Sequence, residues 1–183
     1  MNYKELLEKR RSVRDYSEKK VPLNVIHEII QDACLAPSAC DMEPWRFIII
    51  QDSEVMKKIS DESKKNLLLD SNTNPNSFFK QSKNKLESSD FNVFYNASSL
   101  VLICAEKDAP FLREDCSLAA AYFMIAATER GLATCWIANG AKIVDMNLRR
   151  EIGLGSDLEV VAPLIIGYPR VIPPVPKRSP KII

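Results

Sequence analysis

Four short apolar runs punctuate the chain: Phe47-Ile48-Ile49-Ile50 within Arg46–Gln51, Leu100–Ala105, Ala133–Ile137 and Val160–Ile166. Each has the length of a strand and no polar alternation, so each reads as a strand covered on both faces. Pro163 interrupts the last run, which predicts a break in that strand. Between the runs, apolar residues recur at helical spacing. Residues 2–10 carry Tyr3, Leu6 and Leu7 on one helix. A second helix has Pro22 in its first turn, the stripe Ile26, Ile29, Ile30, Ala33 and Cys34, and a stop at Ala36-Pro37. Pro37–Trp45 reads as a loop. Ser53 is the expected cap of a third helix with Met56 and Ile59 inward. Asn66–Ser89 is rich in Asn, Ser and Lys, with a loop over Asn72–Asn76, and reads as a mobile cover or a partly folded segment.

Glu114–Arg130 is apolar nearly all round, which implies burial on several sides and, in so small a chain, a partner subunit over part of it. Gly131 is its expected stop. Lys142–Ile152 is the last predicted helix, with Ile143, Met146 and Ile152 inward and Gly153 ending it. From Gly167 the chain is punctuated by Pro169, Pro173, Pro174, Pro176 and Pro180 and carries Arg170, Lys177, Arg178 and Lys181. That pattern predicts an extended tail lying on a surface. No repeat or linker is visible. One α+β domain spanning residues 1–183 is the reading.

Composition narrows the chemistry. The 183 residues are 46% apolar and 27% charged, with a net charge of +1, an ordinary globular balance that does not recruit nucleic acid or an anionic membrane in bulk. Any anion site must be local. The N-terminus lacks the apolar segment of a secretion signal, and no apolar run is long enough to span a bilayer, so a cytoplasmic location is expected. The five cysteines (34, 40, 104, 116 and 135) are odd in number and widely spaced, which predicts buried free thiols in a reducing compartment and no metal site. His27 is the single histidine. An enzyme built on this chain is expected to work without histidine acid–base chemistry or a two-histidine metal centre.

No GxGxxG or GxxxxGK sequence is present, and there are only five glycines. A phosphate ligand would therefore be held by side chains rather than by a glycine loop. The candidate is Lys9-Arg10-Arg11-Ser12-Val13-Arg14. Guanidinium forks match phosphate oxygens two at a time, and a serine hydroxyl fills a further acceptor site. Read alone, the same stretch also fits a solvated basic helix end. Lys177-Arg178 offers a second basic cluster that completes a phosphate pocket if the two converge.

At these residues the chain resembles the FMN-dependent nitroreductase family. Arg10-Arg11-Ser12-Val13-Arg14-Asp15-Tyr16 is similar to that family's N-terminal motif, and Ala36-Pro37-Ser38-Ala39-Cys40-Asp41-Met42-Glu43-Pro44-Trp45-Arg46-Phe47 to its second. Asp115 to Trp136, ending in Gly131-Leu132-Ala133-Thr134-Cys135-Trp136-Ile137, resembles the third. Gly167-Tyr168-Pro169 with Pro176-Lys177-Arg178 resembles the fourth. The motifs occur in order across nearly the whole chain. The resemblance implies an α+β fold with a central, mostly antiparallel sheet flanked by helices. It also implies a homodimer that exchanges extended C-terminal arms and holds FMN at the subunit interface.

By resemblance, Arg10, Arg11, Ser12 and Arg14 bind FMN. Arg10 and Ser12 suit its phosphate, Lys177 and Arg178 complete that shell, and Arg14 faces the pyrimidine end, where a fixed positive charge favours flavin reduction. Pro37, Ser38 and Ala39 resemble the loop that reaches the flavin from the other subunit. Trp136, Ile137 and Ala138 resemble the segment along the isoalloxazine; Trp136 fits a core aromatic equally well. Two residues depart from the pattern: Asp41 and Glu43 stand where asparagine and glutamine are usual. Either Asp41 faces the flavin, where its charge disfavours reduction, or both carboxylates hold arginines in place. Ala138 stands where glycine is frequent.

The implied activity is hydride transfer from NAD(P)H through flavin N5 to a nitroaromatic, quinone or other conjugated small-molecule acceptor, in a ping-pong sequence. That chemistry needs stacking and orientation more than protein acids and bases. Two competing readings are a flavin carrier or redox sensor with little turnover, motivated by the polar Asn66–Ser89 segment, and a nucleic-acid partner using Arg10–Arg14, which the net charge of +1 opposes.

Overall fold

The computed structural model describes residues 2–182. Its centre is a four-stranded, wholly antiparallel sheet in the order β1–β2–β4–β3, built from β1 (Arg46–Ile50), β2 (Ser99–Glu106), β3 (Ala133–Trp136) and β4 (Leu158–Gly167). The helices are α1 (Tyr3–Lys9), α2 (Leu23–Ala33), α3 (Ser53–Thr73), α4 (Lys83–Glu87), α5 (Leu112–Glu129) and α6 (Met146–Glu151).

The unbroken apolar runs follow from two cores, one on each face. Along β2, Leu100, Leu102 and Cys104 point into one cluster with Val13, Tyr16, Met56, Ile59 and Phe94. Val101, Ile103 and Ala105 point into the other with Ile26, Ile29, Trp45, Ala119 and Phe123. Side chains alternate along a strand, so a sheet covered on both faces needs apolar residues at every position. The helix α5 lies on the second face. Its Cys116 thiol reaches the Cys104 carbonyl at 3.7 Å.

Several boundaries differ from the sequence reading. The cap of α3 is Asp52, not Ser53: Asp52 Oδ1 accepts the N–H groups of Glu54 and Val55 at 2.9 and 3.0 Å. The segment 66–89 is largely helical. α3 continues through it to Thr73, a 3-10 turn spans Phe78–Ser82, and α4 follows. Pro163 does not break β4. Its carbonyl accepts the Ile137 N–H at 2.8 Å. A strand residue's N and O face the same neighbour, so the N–H that proline lacks falls where β3 has already ended, its last partner being Leu164.

The last helix starts at Met146 rather than Lys142, because Asp145 caps it through the N–H groups of Asn147 and Leu148. Met146 is therefore exposed, while Ile143 and Ile152 are buried. All five cysteines are free, yet only Cys104, Cys116 and Cys135 are buried, and Cys40 is exposed. Residues 171–182 are irregular and exposed. Among the described residues no helix is long and apolar enough to cross a membrane, and no cluster of His, Cys, Asp and Glu is arranged to hold a metal ion.

Candidate functional site

Residues 10–17 run along the free edge of β3 and across the exit of β4. Ser12 pairs with Thr134, and the Val13 N–H donates to the Thr134 carbonyl at 3.1 Å. Further on, Tyr16 pairs with Pro169, the Ser17 N–H donates to the Tyr168 carbonyl, and the Arg170 N–H to that of Asp15. Val13 and Tyr16 are buried and serve as anchors, with the Tyr16 hydroxyl donating to the Val13 carbonyl at 2.7 Å. Ser12 just before them and Arg14 between them stay exposed. Gly167 makes the junction possible: a Cβ there would lie 2.8 Å from Tyr16 Cδ1. The first and fourth motifs thus meet through one ring and one glycine.

The basic side chains gather over this edge. Arg10 is half-buried, and its pKa is held below the usual arginine value by burial first, then by the charge of Arg11, with Arg178 adding to the same effect. Arg178 therefore lies near enough to act on Arg10. The Cys135 thiol beneath them is pushed up by burial, opposed by Arg14, by a hydrogen bond with Ser12 and by Arg10. Two buried polar atoms at this junction, Arg11 Nε and Thr134 Oγ1, have no partner among the described residues. The Arg14 guanidinium stands 5.8 Å from the centroid of Tyr95, a ring also approached by Lys85 Nζ at 5.2 Å. Neither Tyr95 nor Lys85 was signalled by the sequence reading, because both come from the segment between α3 and β2. Lys177 is exposed, with no hydrogen bond or ion pair among the described residues.

Trp136 ends β3 half-buried, packed against the second core. Ile137 is buried in the first, and Ala138 is exposed at the start of a 3-10 turn through Ala141. Within that turn Gly140 is pressed on Phe94: an added Cβ would fall 2.5 Å from Phe94 Cε1.

The loop Pro37–Trp45 is built differently. Cys40, Asp41 and Glu43 all have left-handed backbones, with φ of 50°, 57° and 45°, and no glycine relieves them. Each such residue costs on the order of 1 kcal/mol or more. The anchors are the Ala39 N–H donating to Asp115 Oδ1 at 3.0 Å, the Glu43 N–H donating to Ser38 Oγ at 3.0 Å, and Trp45, buried in the second core. Asp41 and Glu43 are exposed and form no ion pair among the described residues. Arg46 pairs instead with Glu106 at 3.6 Å. Neither carboxylate holds an arginine within this chain. Asparagine and aspartate tolerate the left-handed region best, which accounts for the residue type at position 41.

The loop begins beside the last turns of α5, where Arg130 pairs with Asp32 at 2.7 Å and Leu35 lines a groove with Tyr3 and Leu6, and it is tied to the first turn at Ala39. Asp115, bonded to Ala39, is in the first turn of α5, whereas Lys9, Arg11 and Val13 surround a pocket with Thr128, Gly131 and Leu132 at its last. Arg10, Arg11, Ser12 and Arg14 lie with Arg178 over the β3 edge, Trp136, Ile137 and Ala138 continue from the end of β3, and Pro37, Ser38, Ala39 and Asp41 lie in the loop that Asp115 anchors.

The family model described as "Nitroreductase family" matches residues 7–168. A protein of Archaeoglobus fulgidus named "Putative NADH dehydrogenase/NAD(P)H nitroreductase" is 28% identical over 167 residues, covering 88% of this chain and 82% of its own. An iodotyrosine deiodinase of Thermotoga neapolitana is 27% identical over 177 residues, covering 90% of this chain and 87% of its own. The crystal structure of a nitroreductase with bound FMN from Bacteroides fragilis superposes with a TM-score of 0.82 at 23% identity, over 99% of this chain and 96% of that one.

Proposed function

The chain belongs to the nitroreductase family, and from that premise we propose that it is an FMN-dependent oxidoreductase passing reducing equivalents from NAD(P)H to a small conjugated acceptor. The observation that carries this is the basic cluster on the β3 edge. Arg10, Arg11, Ser12 and Arg14 are gathered there with Arg178 close enough to depress Arg10, and Arg11 Nε and Thr134 Oγ1 are buried without partners. Unpaired buried donors beside crowded arginines fit a phosphate monoester, which answers both the mutual repulsion and the missing hydrogen bonds. When bound, FMN supplies a ring that accepts a hydride and gives it up again.

The rest falls to the chain. Arg10, Arg11 and Ser12 hold the phosphate, with Arg178 and Lys177 closing over it from the tail. Arg14 keeps a fixed positive charge at the pyrimidine end, with Tyr95 at its side. Trp136, Ile137 and Ala138 border the ring. Pro37, Ser38 and Ala39, held at the first turn of α5 by Asp115, approach a cofactor held by a second copy. The outer face of α5 supports that copy: Leu118 and Tyr122 are exposed there, and Tyr122 and Ile125 line a groove of about 460 Å³ with Tyr3, Leu6 and Leu35. The single histidine, His27, is exposed on α2 and takes no part.

The acceptor class is nitroaromatic, quinone or halogenated aromatic. The Archaeoglobus and Thermotoga relatives, named for nitro reduction and for deiodination, are about equally similar to this chain. The segment between residues 66 and 89, whose polarity motivated the carrier reading, is largely helical, and reduction of the bound flavin by a nicotinamide is what separates the two readings.

The test is anaerobic stopped-flow reduction of the flavin-loaded protein by NADH and by NADPH, followed by steady-state kinetics with each acceptor class. Reduction by at least one nicotinamide, with parallel double-reciprocal lines for donor and acceptor, is expected. Protein that stays colourless after FMN addition, or bound flavin that neither nicotinamide reduces, sinks the proposal.

A further inference from the structure

Asp115 is a buried carboxylate with no role in the chemistry proposed above. It is 2% exposed and stands in the first turn of α5, where the helix end favours negative charge. Its Oδ1 accepts the Ala39 N–H at 3.0 Å, and its Oδ2 has no partner among the described residues. Packing alone does not call for a carboxylate there, because an apolar side chain would fill the space without losing hydration. What the carboxylate grips is the segment that most needs gripping, the loop with left-handed Cys40, Asp41 and Glu43. The helix bearing Asp115 is itself seated on the sheet through Cys116. The rigidity of the sheet therefore reaches the loop through one side chain.

Resting on the FMN reading, we infer that Asp115 is a positioning residue: its carboxylate holds the Ala39 amide and so fixes where Pro37, Ser38 and Ala39 are presented to the cofactor of the other subunit. It touches neither cofactor nor acceptor. The position requires an acceptor oxygen at Oδ1, not a negative charge, since Oδ2 meets nothing. Asp115→Asn keeps that oxygen; Asp115→Ala removes it.

The experiment uses the full chain and both variants. Hydrogen exchange of the Ala39 amide is measured without FMN, and FMN affinity is then titrated by fluorescence. In Asp115→Ala the Ala39 amide exchanges about tenfold faster or more and FMN binds about tenfold more weakly, the worth of one buried hydrogen bond. In Asp115→Asn both stay within about threefold of wild type, because the amide oxygen takes the same bond. A side chain that merely filled the core would show no such rescue. Should Asp115→Ala fail to fold, Ala39→Pro deletes the donor from the loop side. Ser38, at φ −135° and ψ 159°, already has the backbone that precedes proline. That variant must weaken FMN by the same factor.

Unchanged Ala39 exchange in Asp115→Ala overturns the inference. So do an Asn variant that behaves like the Ala variant, faster exchange with unaltered FMN affinity, and an Ala39→Pro variant that binds FMN normally. A wild-type protein that takes up no flavin defeats the FMN reading alone, and the Ala39 exchange rates still decide whether Asp115 holds the loop.

Discussion

Adding one methyl group at position 167 should separate the two halves of the candidate cofactor site. In Gly167→Ala the new Cβ would sit 2.8 Å from Tyr16 Cδ1, more than half an ångström inside ordinary carbon contact, and 3.3 Å from Cγ. The ring cannot swing away cheaply. Its hydroxyl is bonded to the Val13 carbonyl at 2.7 Å, and its backbone is paired with Pro169. Relief must come from a shift of residues 12–17 against β4. Overpacking of this kind costs about 1–3 kcal/mol, which for a chain of this size lowers Tm by about 3–10 °C.

Because the same segment presents Arg10, Ser12 and Arg14, FMN affinity should fall together with stability. The assay is a thermal melt of apo and FMN-loaded protein, repeated in a Tyr16→Val background that lacks the ring atoms nearest the new methyl. There the added cost of Gly167→Ala should nearly vanish, a coupling of about 1 kcal/mol or more. A Gly167→Ala protein melting within a degree of wild type refutes the steric account. An equal loss in both backgrounds refutes the role of Tyr16.

Three more outcomes follow. Gly140→Ala drives a methyl to 2.5 Å from buried Phe94, so it should cost about 1–3 kcal/mol in urea denaturation, and an unchanged midpoint would show that Phe94 moves freely. Burial pushes the Cys104 and Cys116 thiols up to about 12 from 9.0, helped at Cys104 by Cys116 and at Cys116 by Asp115. The unfolded chain releases these protons first, so the native state holds more protons between those values and stability falls as pH rises through that window. Urea titrations from about pH 8 to about pH 11 should show this decline, flattened in Cys104→Val; an identical slope in the variant contradicts it. Asp41→Asn keeps a residue suited to φ 57° while removing the exposed charge. It should raise the two-electron potential of bound FMN, by about 30 mV for each tenfold gain in favour of the reduced form, and an unmoved potential places Asp41 away from the ring.

How much of this was visible in the sequence depended on whether a local pattern carried it. All four strands were legible because a sheet buried on both faces writes continuous apolar runs. The far half of α3 was not, because apart from Leu67 its inward face is polar. Ser63, Lys64 and Ser71 are buried there, as is Ser60 one turn earlier. The Lys64 ammonium donates to the carbonyls of Ser88 and Phe91 at 3.0 Å each, and Ser60 Oγ accepts the Val93 N–H. A helix that uses much of its buried side to hold a loop has an apolar stripe too broken to read beyond Ile59. Pro163 misled for a similar reason: its effect depends on where the neighbouring strand ends, which sequence does not state. The arginine cluster was legible from charge and spacing, whereas Asp115 was visible only as a carboxylate opening an apolar helix. Its partner is 76 residues away.

The way the two candidate segments are anchored ties these points together. Asp115, in the first turn of the 18-residue α5, holds the loop at Ala39, while Val13 and Tyr16 hold the arginine segment against the sheet. The outer face of the same helix leaves Leu118 and Tyr122 exposed. A second copy seated there about a twofold axis is what the proposed site calls for, since each chain would then offer its loop to the other's cofactor. Flavin-loaded protein that sediments as a monomer refutes that arrangement.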